Sequence, residues 1–102
     1  MIKTVFMGTP EFAVPILDTL KELTDVGLVV TQPDKYVGRK KVLTPSAIKS
    51  RAMEYGIPVF QPIKIREDYE EIKKYQPDLI VTCAYGQIVS KEVLDIPRLG
   101  SI

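Results

Sequence analysis

The chain alternates between two hydrophobic rhythms. Short runs in which nearly every position is apolar are separated by stretches where apolar residues recur every three or four positions. The first run holds Ile2, Val5, Phe6 and Met7. Strand-forming residues with little polar alternation predict a strand covered on both faces, as in a parallel sheet. Gly8 then permits a tight turn, with Thr9 as N-cap, Pro10 as first helical residue and Glu11 in the dipole-favoured first turn. Phe12, Ala13, Ile16, Leu17, Leu20 and Leu23 follow at helical spacing, with Asp18, Lys21 and Glu22 on the opposite face. Pro15 is tolerable only because it lies near the helix start. Val26 to Thr31 is a second apolar run. Strand, helix and strand within about thirty residues make a βαβ unit with a right-handed crossover.

Gln32 to Leu43 has no periodicity and reads as a loop, with Pro33, Asp34 and Gly38 as loop formers. Thr44-Pro45 repeats the cap signature ahead of a helix that carries Ile48, Ala52 and Tyr55 on one stripe and Gly56 past its end. Ile57 to Phe60 is a short third strand, and Pro58 sends it to a sheet edge. A third helix spans Arg66 to Tyr75, with Tyr69 and Ile72 inward and a Glu70–Lys74 pair four residues apart. Asp78 to Ala84 is a fourth strand, apolar through its middle and expected to be central. Ser90 caps a short helix ending before Pro97, and Leu99 to Ile102 begins a fifth strand. This order predicts an α/β fold: an open, doubly wound parallel sheet of order 3-2-1-4, with the start of strand five at the chain end. The order reverses between strands one and four, and ligands in such sheets bind there, beyond the carboxyl ends of the strands. Two loops flank that crevice, Gly8 to Glu11 and Ala84 to Gln87.

Composition narrows the picture modestly. With 102 residues there is room for one small domain or part of a larger one. Lysine and arginine number 14 against 13 acidic residues, so total charge selects no partner. Cys83 is the single cysteine, which rules out an internal disulfide and fits a reducing compartment. With no histidine to activate it, Cys83 reads as a buried apolar residue rather than a nucleophile. The same two facts argue against a zinc site made by this chain alone. The apolar run after Lys3 is too short for a secretory leader, and no run approaches the roughly 18 residues of a membrane span. There are no repeats, low-complexity segments or interdomain linker.

The loops hold the candidate chemistry. A dinucleotide site would need G-x-G-x-x-G after the first strand, but Gly8 is alone and Pro10 stands where a second glycine belongs. No P-loop pattern occurs either. Gly8-Thr9-Pro10 is either a ligand-facing turn or simply a helix start. Ala84-Tyr85-Gly86-Gln87-Ile88-Val89 suits a flat heteroaromatic ligand held by main-chain hydrogen bonds and apolar walls. It equally suits an ordinary loop with Tyr85, Ile88 and Val89 packed on the core. Lys35-Tyr36-Val37-Gly38-Arg39-Lys40-Lys41 is the one local charge asymmetry. Its cations fit phosphates, Arg39 fits bidentate or stacking contacts, and Tyr36 and Val37 can wedge; a solvated surface loop has the same composition. Glu67, Asp68, Glu70 and Glu71 read as a solvated helix face.

Several separated motifs agree in order with one family. Val5-Phe6-Met7-Gly8-Thr9-Pro10-Glu11-Phe12-Ala13 opens the chain, and Thr31-Gln32-Pro33-Asp34 leads into Gly38-Arg39-Lys40-Lys41. Gly56-Ile57-Pro58-Val59-Phe60-Gln61-Pro62, Ala84-Tyr85-Gly86 and Pro97-Arg98-Leu99-Gly100 follow. Together they resemble the beginning of the methionyl-tRNA formyltransferase family, over the whole chain. The resemblance implies a Rossmann-like amino-terminal domain, a carboxyl-terminal β-barrel domain elsewhere, and a cytoplasmic enzyme of translation initiation. It implies formyl transfer from 10-formyltetrahydrofolate to the amino group of methionyl initiator tRNA. By that likeness Tyr85, Gly86, Gln87, Ile88 and Val89 line the folate pocket. Gly8, Thr9 and Pro10 lie near the aminoacyl end, and Lys35, Arg39, Lys40 and Lys41 meet the acceptor end, Arg39 foremost. The family's catalytic Asn and His belong to an Asn-x-His and Ser-Leu-Leu-Pro segment just after the strand begun by Leu99 to Ile102, and its catalytic Asp lies further on. The expectation is therefore an amino-terminal portion, residues 1–102, with no catalytic residue, inactive alone and prone to self-association at its open edge. Two rivals stay open. One is a piece of another folate-dependent formyltransferase, which would not need the basic loop; the other is a non-catalytic tRNA- or folate-binding module.

Overall fold

A computed structural model describes residues 1–102. In chain order the elements are β1 (Lys3–Gly8), a 3-10 turn (Glu11–Ala13), α1 (Val14–Leu23), β2 (Asp25–Val30), β3 (Lys35–Val37), β4 (Val42–Thr44), α2 (Ala47–Tyr55), β5 (Val59–Phe60), α3 (Glu70–Tyr75), β6 (Leu79–Cys83) and α4 (Lys91–Leu94). Four strands form a parallel sheet of order β5-β2-β1-β6, which is the expected 3-2-1-4 arrangement. Pro58 stands just ahead of the edge strand β5, as its missing N–H requires.

The apolar runs are explained by two cores. Val5 and Met7 face one side of β1 and pack with Ile72 of α3, Val93 of α4 and Tyr85. Phe6, between them, faces the other side and packs with Leu17 of α1 and with Ile48 and Ala52 of α2. All of these side chains are fully or almost fully buried. Helices on both faces leave no polar face for β1 to alternate with, hence its sequence.

The structure corrects several local expectations. Thr9 does not cap a helix: Pro10 is extended, a 3-10 turn intervenes, and α1 starts only at Val14 with Pro15 in its first turn. The change of helical pitch shifts the phase, so Phe12, Ile16 and Leu23 are exposed while Ala13 and Leu17 take the core. Ser46, not Thr44, caps α2, accepting from Lys49 N–H, and Thr44 belongs to β4. Gln32 to Leu43 is not all loop: β3 and β4 pair as an antiparallel hairpin. α3 begins at Glu70, and its ion pairs run Glu70–Lys73 and Glu71–Lys74, three residues apart. Glu67 and Asp68, exposed as expected, lie on the turn before it. Cys83 is half-buried rather than buried. β6 ends the four-strand ladder instead of standing at its centre, though its outer edge is engaged. Ser101 bridges to Ile80, and Thr82 N–H donates to Ile102 C=O at 3.0 Å, so the fifth strand does begin where expected. The Gly56 C-cap and the Ser90 cap of α4 follow the sequence reading.

Candidate functional site

Just past the last buried residue of each central strand the chain turns polar. These side chains find one another at the carboxyl edge of the sheet. The Thr9 hydroxyl donates to Tyr85 C=O at 2.6 Å and accepts from Gln32 N–H at 3.4 Å. Thr31, fully buried at the end of β2, lies 2.7 Å from the Ser46 hydroxyl and 3.5 Å from that of Thr9. Ser46 also accepts from Lys49 N–H at 3.0 Å. Hydroxyls therefore link the turn after β6 to the start of α2 across the end of β1. The glycine that ends β1 is fitted closely as well: a Cβ on Gly8 would stand 2.9 Å from Cys83 C=O and 2.8 Å from the Phe6 ring.

This web alters the expected crevice. Topology predicts open space between the ends of β1 and β6, but the Thr9–Tyr85 bond draws those two turns together. The open space lies to either side. A cleft of about 230 Å³ is lined by Thr9, Pro10, Gln32, Lys35, Val37 and Ser46, among others, between the ends of β1 and β2 and the root of the hairpin. A second hollow of about 220 Å³ lies beside the β6 turn, lined by Ile63, Lys64, Arg66, Gln87 and Ile88.

The β6 turn is conformationally special. Ala84 (φ 53°) and Gly86 (φ 102°) both take positive φ, which favours glycine at the second. Tyr85 between them points into the core, and burial pushes its phenol up to about 12. Its hydroxyl has no hydrogen-bond partner. Ile88 faces outward, 91% exposed, while Val89 rests partly buried against the core. Gln87 is the anchor: its Oε1 accepts from Ile65 N–H at 2.7 Å, and its Nε2 donates to Pro62 C=O at 3.0 Å and to Gln32 Oε1 at 2.8 Å.

The basic segment forms β3, β4 and the turn between them. Gly38 (φ 77°) and Lys41 (φ 48°) reverse the chain, and Lys41 N–H closes onto Gly38 C=O at 3.2 Å. Lys35, Arg39, Lys40 and Lys41 are exposed, and none is paired with a carboxylate. Behind the hairpin, Asp34 accepts from Gln61 Nε2 at 2.8 Å and from Lys49 Nζ at 3.0 Å. The Gln61 bond first, then Lys49, holds its carboxyl below the usual carboxylate range.

Thus Thr9, Pro10 and Lys35 line one cleft, Gln87 and Ile88 line the other hollow, and Arg39, Lys40 and Lys41 stand at the hairpin tip away from both linings. Sequence reasoning missed Gln32, Gln61, Thr31 and Ser46. Their one signal is position: each is the first or second polar residue after a strand or before a helix. No helix is long and apolar enough to cross a membrane.

Comparisons with known proteins give this geometry a family. The chain is 57% identical over 105 aligned positions to methionyl-tRNA formyltransferase of Bacillus cytotoxicus, and equally so to those of Bacillus thuringiensis and Bacillus mycoides. Each alignment covers 100% of this chain and 33% of the relative, so the chain spans about one third of the length of these proteins. Among solved structures, phosphoribosylglycinamide formyltransferase from Streptococcus pneumoniae TIGR4 shares the fold, with TM-score 0.65 and 17% identity over 99% of this chain and 54% of that one. The family model described as "Formyl transferase" matches residues 2–102, and the chain belongs to the formyl transferase family.

Proposed function

We propose that residues 1–102 are the amino-terminal portion of the formyltransferase domain of a methionyl-tRNA formyltransferase. In this reading the parent enzyme moves a formyl group from 10-formyltetrahydrofolate to the amino group of methionyl initiator tRNA. The catalytic segment and a carboxyl-terminal β-barrel domain would belong to the other two thirds of its length. The observation that carries the reading is the 57% identity across the whole chain to enzymes of that name.

The geometry supports a division of labour at the carboxyl edge. Tyr85, Gly86, Gln87, Ile88 and Val89 form a braced turn in which Gly86 and an outward Ile88 are exposed, suited to hold the flat heterocycle of the folate through main-chain hydrogen bonds and apolar contact. Lys35, Arg39, Lys40 and Lys41 offer unpaired cations to the phosphates of the tRNA acceptor end. Thr9 and Pro10 lie between the two, at the wall of the cleft, with Gly8 just before them at the end of β1, where the aminoacyl end would arrive. At about 230 Å³ the cleft is below the roughly 300–1,000 Å³ of pockets for drug-sized ligands, so it suits one end group better than a whole folate. Formyl transfer needs stabilisation of a tetrahedral oxyanion and removal of a proton from the attacking amine. Those roles are assigned to residues outside this chain.

A full-length enzyme carrying this sequence should formylate methionyl initiator tRNA with 10-formyltetrahydrofolate, and should leave a small amine such as phosphoribosylglycinamide unformylated. Transfer to the small amine alone would replace this reading with the rival formyltransferase. The 102 residues by themselves should show no transfer; turnover by them would refute the division between binding and catalytic segments.

A further inference from the structure

The amide of Gln32 is held in one orientation, and half of it has nothing in the protein to bond. Ile65 N–H can only donate and Pro62 C=O can only accept. Gln87 therefore turns its Oε1 to the first at 2.7 Å and its Nε2 to the second at 3.0 Å. Its remaining N–H needs an acceptor and takes Gln32 Oε1 at 2.8 Å. That bond decides which way Gln32 faces: its oxygen is committed to Gln87 and its NH₂ is turned away. Nε2 of Gln32 donates to no protein atom. A Cβ on Gly86 would stand 2.7 Å from this nitrogen, so the NH₂ group occupies the side of the turn that glycine leaves empty. Gln32 also lines the cleft beside Thr9 and Lys35. The donor thus lies at the junction of the cleft and the β6 turn, braced through Gln87 by two backbone groups.

We propose that Gln32 is a substrate-binding residue whose side-chain NH₂, aimed by Gln87, donates a hydrogen bond to a carbonyl oxygen brought to this junction. Gln87 is the positioning residue. The proposal rests on the reading above, that a formyl donor and an aminoacyl-RNA meet at this edge. Two carbonyls fit the chemistry, the N-formyl oxygen of the donor and the ester oxygen of the aminoacyl end. A neutral amide N–H suits either, donating to the carbonyl oxygen without adding charge to the cleft.

The test uses a full-length formyltransferase with this sequence as its amino-terminal third. Gln32→Glu keeps an oxygen for Gln87 and removes both N–H groups. The expected result is a roughly tenfold or greater fall in kcat/KM with an unchanged urea midpoint. The deficit should shrink as pH is lowered from about 8 toward about 4.5, near the ordinary glutamate range, because a glutamate that gains a proton regains a donor. Gln87→Leu leaves the donor present but unaimed, and should cost several-fold. A rise in KM for the folate alone assigns the oxygen to the formyl group; a rise for the aminoacyl-tRNA alone assigns it to the ester. Either outcome supports the proposal. Kinetic constants of Gln32→Glu within about twofold of wild type across that pH range would overturn it. A pH-independent loss tracking a lowered urea midpoint would also overturn it, leaving Gln32 a structural residue. If the wild-type enzyme transfers no formyl group to methionyl-tRNA, the reading above fails and takes this inference with it. An active wild type with an indifferent Gln32→Glu sinks this inference alone.

Discussion

The hairpin and the β6 turn are both loops at the carboxyl edge of one sheet, yet they are built on opposite principles. In the hairpin every residue from Lys35 to Leu43 is exposed, including Tyr36 and Leu43, and no side chain ties it to another loop. In the β6 turn one tyrosine is driven into the core, and a glutamine ties the loop to two others. Under the proposed function the contrast matches what each would meet. A polyanion is attracted by charge at several ångströms and tolerates an arm of loose geometry. A small heterocycle is recognised by hydrogen bonds that fail when displaced by a fraction of an ångström, so its receptor must be braced.

Tyrosine truncation should break the symmetry between the loops most sharply. Tyr85→Ala empties a core site and is expected to cost roughly 3–5 kcal/mol by urea titration, whereas Tyr36→Ala on the hairpin should change stability by less than about 0.5 kcal/mol. Equal losses would mean the hairpin is packed in solution. Gly86→Val comes next, at about 1–3 kcal/mol, because the new side chain meets both an unfavourable φ and the Gln32 amide. The full-length enzyme should lose folate affinity with it and keep tRNA affinity.

Tyr85→Phe should raise stability by about 1 kcal/mol, since it removes a buried hydroxyl that has no partner. The same substitution should flatten an alkaline dependence. The folded state holds the Tyr85 proton up to about 12, and an unfolded chain releases it near the ordinary value of about 10. The unfolded state is therefore favoured as pH rises through that window, and stability should fall there more steeply in the wild type than in the variant, where the raised phenols of Tyr55 and Tyr75 still contribute. Replacing Arg39, Lys40 and Lys41 together by alanine should have the smallest effect on stability, within about 0.5 kcal/mol. It should nonetheless weaken tRNA binding and reduce the salt slope by roughly 2 to 3 units. An unchanged slope would remove the hairpin from the RNA contact.

The strand order was legible because each deciding residue acts locally. Pro58 cannot donate to a ladder wherever it is put, and the unbroken run from Val5 to Met7 cannot lie on a one-faced sheet. The hairpin was not legible. β3 and β4 are three residues each, largely exposed, and joined by the four-residue turn Gly38-Arg39-Lys40-Lys41 rather than the usual two-residue asparagine and glycine pair. The role of Thr9 is hidden from the sequence for a related reason. A threonine before a proline satisfies the local rule for a cap, and only the arrival of Tyr85, distant by 76 positions, offers its hydroxyl a better partner.

The amino-acid order alone determined the α/β class, the sheet order and the turns that end β1 and β6, because periodicity, proline and glycine constrain the backbone without reference to distant partners. Tertiary structure decided that the gap between β1 and β6 is bridged, that the usable cleft lies toward the hairpin, and that Gln32, Gln61 and Gln87 share one network. Side-chain hydrogen bonds between strand ends depend on which ends the sheet makes neighbours, and on which backbone groups the sheet leaves unpaired there.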